Sequence, residues 1–186
     1  MVIRRLVFAL LLPSVADAGL LHKEIDVFQL TPFVGAEVTR YGFAGIDANG
    51  LTGGDFVATG VTFGALAGFK LGPLSLGVLY QRTEEIDKPP GLDLNLNKLY
   101  AEVGFNIRAS IMIAVIHFDF GWAFFEANSK TEQGFGGKFG VALDFYPLKW
   151  LSLGLGVDCD LQGFDTEKKL IGGFGGTFVF RAGLHI

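Results

Sequence analysis

The stretch from Lys169 to Ile186 alternates. Phe174, Phe178, Phe180, Ala182, Leu184 and Ile186 share one parity, and Gly173, Gly175, Thr177, Arg181, Gly183 and His185 share the other. A two-residue repeat sends successive side chains to opposite faces of a β-strand, whereas a helix repeats at 3.6. Here a large apolar face opposes a face of small residues with an arginine set into it. A strand of a closed sheet in lipid has this character, with its bulky apolar side toward hydrocarbon and its small polar side toward a crowded lumen. The remaining chain must then supply the rest of a barrel.

The same rhythm predicts strands over Val27 to Tyr41, Asp55 to Leu71, Leu74 to Thr83, Asn97 to Arg108, Ile111 to Glu126, Phe135 to Tyr146, Trp150 to Gln162 and Leu170 to Ile186. That is about eight, an even number as bacterial barrels require. Charge falls almost wholly on one face, at Glu37, Glu102, His117, Asp119, Lys138, Asp144, Asp158, Asp160, Arg181 and His185. Short turns are expected near 70–73, 106–110 and 146–149, alternating with longer polar loops over 42–54, 84–96, 127–134 and 163–169. Short periplasmic turns and longer extracellular loops are the asymmetry of an outer-membrane barrel.

Composition agrees. Half of the residues are hydrophobic and mean hydropathy is +0.43, yet no run of about 18 apolar residues escapes a charge or glycine after the N-terminus. Apolarity spread through alternating segments is how a membrane barrel carries it. The 27 glycines lack the three-residue period of collagen, and 19 phenylalanines exclude a disordered chain. A net charge of -4, without a basic patch, excludes a nucleic-acid partner. Cys159 is the single cysteine, so no internal disulfide is possible.

At the N-terminus, Arg4 and Arg5 precede the apolar run Leu6 to Leu12, and Ala16-Asp17-Ala18 offers small residues to a signal peptidase. Residues 1–18 are therefore expected to be a cleaved signal peptide, and 19–186 a single barrel domain. A soluble lipocalin-like barrel is the competing fold. Its outer face would be rich in Lys and Glu, whereas the polar face here is mostly Gly, Ser, Thr and Ala. Outward Phe, with Trp122, Trp150, Tyr80 and Tyr41 near strand ends, suits a lipid band with aromatic girdles.

Over Val27 to Ile186 the pattern resembles the small eight-stranded outer-membrane barrels of the OmpA and OmpX type. The resemblance implies an all-β transmembrane up-and-down antiparallel barrel in the outer membrane of a Gram-negative bacterium. Phe178, Phe180, Gly183, Leu184 and Ile186 would form the signal read by the barrel-assembly machinery, with Ile186 where such barrels usually end on an aromatic residue. Periplasmic chaperones, outer-membrane lipid and an extracellular surface ligand are the partners it implies, for a monomer.

The inward charges admit two readings. They form a salt-bridge network filling the lumen, or they line a cation-preferring conduit in which Glu37 or Glu102 pairs with Lys138 or Arg181. The filled lumen takes precedence, because about eight strands enclose a space just occupied by side chains. His117-Phe118-Asp119 suggests acid–base or lipid-processing chemistry, but Ser110 and Ser152 have no histidine partner that the sequence places. Asp93-Leu94-Asn95-Leu96-Asn97 imitates the start of a calcium loop and then puts Lys98 where glycine is needed. No metal or cofactor is expected. The leading expectation is a non-enzymatic barrel serving envelope integrity or surface interaction, ahead of a narrow cation pore and, third, a lipid-modifying enzyme.

Overall fold

The computed structural model describes residues 26–47, 50–88, 90, 94–109, 111–127, 130–165 and 169–186. They form eight strands: β1 (Asp26–Asp47), β2 (Gly50–Leu71), β3 (Leu74–Asp87), β4 (Leu94–Ala109), β5 (Met112–Ala127), β6 (Lys130–Leu148), β7 (Leu151–Asp165) and β8 (Lys169–His185). Each pairs antiparallel with its sequence neighbours, and β1 closes on β8. The proposed signal peptide lies outside the described residues.

Closure follows from the alternation. Along β8, Gly173, Gly175, Thr177, Val179, Gly183 and His185 are buried while Phe174, Phe178, Phe180 and Leu184 are exposed. The same inversion recurs on every strand: Phe118, Phe120, Trp122, Phe139, Val157 and Leu161 stand outside, and charged residues fill the inside. In water such a molecule would be inside out. In hydrocarbon a sheet must satisfy all of its backbone donors and acceptors, and only a closed ladder does so. On β5, the outward face from Met112 to Trp122 covers ten residue steps, about 25 Å of membrane at a tilt near 40°. This is a transmembrane β-barrel.

The two ends differ. At the turn end, two-residue connections at 72–73 and 149–150 join the strands, β4 ends and β5 begins, and the described chain's first and last strands also begin and finish there. At the hairpin end the strands outrun the sequence reading. Most of 42–54 is ladder, with Gly42↔Asp55 through Asp47↔Gly50 still paired, and β3, β4, β6, β7 and β8 likewise extend into segments expected to be loops. The apolar alternation marks only the part of a strand inside lipid. A hairpin beyond it keeps its backbone bonds without needing an apolar face.

Among the described residues, β2 meets β3 only from Thr59↔Asp87 downward. Above that level, among the described residues, it pairs with β1 alone.

Candidate functional site

The inward face of each strand delivers its polar residues to one lumen, in layers. All eight sequence-predicted network residues lie there, with Asp160 and His185. Their pairings differ from those expected. Glu37 does not meet Lys138 or Arg181; it meets Lys98, whose Nζ donates to Glu37 Oε1 at 2.8 Å and to Asp160 Oδ2 at 2.9 Å. All three side chains are fully enclosed. Glu37 also accepts from Thr83 Oγ1 at 2.6 Å, Gln81 Nε2 at 2.9 Å and Thr39 Oγ1 at 3.0 Å.

Below this layer, Lys138 donates to Gln81 Oε1 at 2.7 Å and Asp158 Oδ2 at 3.1 Å. Gln81 thereby links the two ionic groups. His117 Nδ1 lies 3.2 Å from both oxygens of Asp119, and its Nε2 lies 3.1 Å from Asp158 Oδ1. Gly140 makes room for that contact. A Cβ there would fall 2.1 Å from Asp158 Oδ1 and 2.4 Å from His117 Nε2. Nearer the turn end, Arg181 grips Asp144 with two donors, Nε at 2.6 Å and Nη2 at 2.5 Å, a fork geometry that a lysine cannot reproduce.

Among the described residues, side chains crowd both ends of the lumen. At the turn end, Ser152 Oγ lies 2.8 Å from His185 Nε2, and Lys70 hydrogen-bonds Tyr146, whose ring stacks near His185. The histidine partner of Ser152 is thus present, contrary to the sequence expectation, because it comes from β8, 33 residues away. The pair is buried, and among the described residues no carboxylate hydrogen-bonds His185, so the orienting acid of a serine nucleophile is missing. At the hairpin end, Tyr41, Ala58, Leu94, Leu96, Ala123, Phe125 and Phe164 form an apolar plug inside the barrel. Tyr41 was expected in the outer girdle. It points inward, 0% exposed, and donates to Glu85 Oε1 at 3.1 Å. Its odd position matches inward Glu37 and Thr39, and that parity overrides aromatic character.

Between the plug and the turn end remains a cavity of about 30 Å³, lined in part by Glu102, His117, Lys138, Asp158 and Arg181. That volume admits water molecules but no larger solute. The predicted network omitted Lys98, Gln81, Glu85 and Tyr100. Lys98 and Tyr100 share the polar face of their strand with Glu102, and Glu85 fell in an expected loop; only the closed barrel shows which side chains meet across the lumen.

The fold and its filled lumen define a small transmembrane β-barrel of eight strands. Among solved structures, Neisserial surface protein A is similar, with 14% identity, covering 82% of this chain and 96% of that one at a TM-score of 0.58. The outer membrane protease OmpT from Escherichia coli aligns at 7% identity over 88% and 98% of the chains (TM-score 0.47). The N-terminal β-barrel domain of Pseudomonas aeruginosa OprF aligns at 14% over 78% and 96% (TM-score 0.40). No protein-family model and no curated protein sequence matches the chain. The likeness to the Neisserial barrel is one of architecture.

Proposed function

We propose that this chain is a non-enzymatic barrel of a Gram-negative outer membrane that acts through its projecting hairpins, in surface interaction or envelope integrity. The observation that carries this reading is the division of the molecule into a plugged, ion-paired lumen and a tall hairpin end, where β1 and β2 stay paired from Gly42↔Asp55 to Asp47↔Gly50. A filled lumen offers no path for solutes and makes the barrel a rigid mount. Hairpins that project beyond the lipid band offer backbone and side chains to an extended segment of another protein. The turn end then faces the periplasm, and the hairpins face outward. Phe178, Phe180, Gly183, Leu184 and Ile186 act as the assembly signal for the barrel-assembly machinery after delivery by periplasmic chaperones. The barrel works as a monomer in outer-membrane lipid.

A narrow cation conduit is favoured by one observation, the lumen cavity bordered by Glu102 and Asp158. Conductance separates the two readings. Residues 19–186, refolded into a planar bilayer, are expected to give no unitary steps. Reproducible cation-selective steps that shrink in a Glu102→Gln, Asp119→Asn variant would establish the conduit instead. Deleting residues 43–54 is expected to leave a folded barrel that no longer confers surface attachment on cells displaying it; unchanged attachment would count against the hairpins as the functional part.

A further inference from the structure

Pairing off the lumen charges leaves a remainder. Lys98 is taken by Glu37 and Asp160, Lys138 by Asp158, and Arg181 by Asp144. Glu85 accepts from Tyr41 beside the plug, and Asp119 has His117 against it. Glu102 has no cation bonded to it among the described residues, and it is the direct cross-strand neighbour of Asp119 on β4 and β5. His117 stands two residues from Asp119 on the same inward face. We propose that Glu102, His117 and Asp119 form a binding site for one divalent transition-metal ion of the zinc or cobalt type.

The backbone fixes this triangle. A cross-strand pair and an i, i+2 pair share the corner Asp119, so all three side chains leave the sheet from adjacent positions. One donor atom of each already lies within 4.8 Å of the other two. Donors about 2.1 Å from a shared ion stand about 3.0 to 3.4 Å apart, and rotation about the flexible Glu102 side chain closes much of that difference. Asp158, 3.1 Å from His117 Nε2, is placed to orient the ring, as outer carboxylates commonly do for ligating histidines.

An independent observation concerns Glu102. It is 5% exposed and lines the cavity, yet it makes no hydrogen bond and no ion pair with any described residue. A buried carboxylate without a partner is costly. A divalent ion at this point satisfies it and offsets the negative charge of Asp119 beside it. Mixed imidazole and carboxylate donors suit zinc or cobalt better than calcium or magnesium, which take oxygen alone. Space for water beside the donors completes the coordination shell.

The test uses residues 19–186 refolded into phospholipid vesicles, with Co²⁺ or Zn²⁺ alone as the probe and a Cys159→Ser background to remove the exposed thiol. The expected result is about one ion retained per folded chain, a cobalt ligand-field absorption that includes a nitrogen ligand, and an affinity weakened on the order of 100-fold or more by Glu102→Gln. Asp119→Asn provides a second variant, and heat-dependent gel mobility verifies that each barrel is folded. Failure of folded Cys159→Ser protein to retain either ion overturns the site. So does equal retention by folded Glu102→Gln and Asp119→Asn proteins, which would place the ion elsewhere.

Discussion

Replacing Lys98 with methionine removes the single cation from the fully enclosed Glu37–Lys98–Asp160 group. The two carboxylates are affected unequally. Glu37 keeps three neutral donors, from Thr39, Gln81 and Thr83. Asp160 loses its one hydrogen bond among the described residues, since its Oδ1 is already buried without a partner. Breaking one side of a buried ion pair costs about 3–5 kcal/mol, most of it the burial of the charge left behind. We expect a loss of about 4 kcal/mol, roughly a thousandfold in the folded-to-unfolded ratio. Denaturant unfolding in vesicles, followed by Trp122 and Trp150 fluorescence, should show a lower midpoint at unchanged slope. The paired variant Lys98→Met, Asp160→Asn takes the stranded charge away as well, so it should be more stable than Lys98→Met alone, at a cost below about 2 kcal/mol. A single variant losing less than about 1 kcal/mol, or a paired variant no better than the single one, would show that water rather than Lys98 neutralises these acids.

The lipid-facing assignment is tested by Phe118→Arg. This exposed position lies near the middle of the outward band, so the substitution should cost about 2–4 kcal/mol in vesicles, and a neutral effect would place Phe118 outside hydrocarbon. Barrel closure is tested by Gly35→Ala on β1, where an added Cβ would fall 1.9 Å from the backbone oxygen of Phe178 on β8. We expect the heat-shifted gel band of the closed barrel to weaken or vanish, whereas Gly163→Ala, with open space around it, should change stability by less than about 0.5 kcal/mol. Equal behaviour of the two glycine variants would mean that the β1–β8 seam is not tightly packed.

The strand count, antiparallel order and face of nearly every residue were legible in the sequence. Alternation is a local property, and each strand states its own parity. Glu37, Glu102, His117, Asp119, Lys138, Asp144, Asp158 and Arg181 could all be placed inward before any tertiary contact was known. Tyr41 shows the same rule by its failure, because the parity of β1 was right and the general preference of tyrosine for membrane interfaces was not. Strand ends were less legible, since beyond the lipid band the hairpins need no apolar face and leave no alternating signal.

Partners across the lumen were decided by tertiary structure alone. Lys98 joins Glu37 from 61 residues away and Asp160 from 62, and Ser152 meets His185 because β7 and β8 bring both to the same mouth. Such pairings depend on closure and register, which set the height at which each inward side chain enters the lumen. A one-residue slip would send every one of them into the lipid. The apolar plug and the unpartnered Glu102 arise in the same way. Local sequence chose the face of each residue, while the closed ladder chose what lies opposite it.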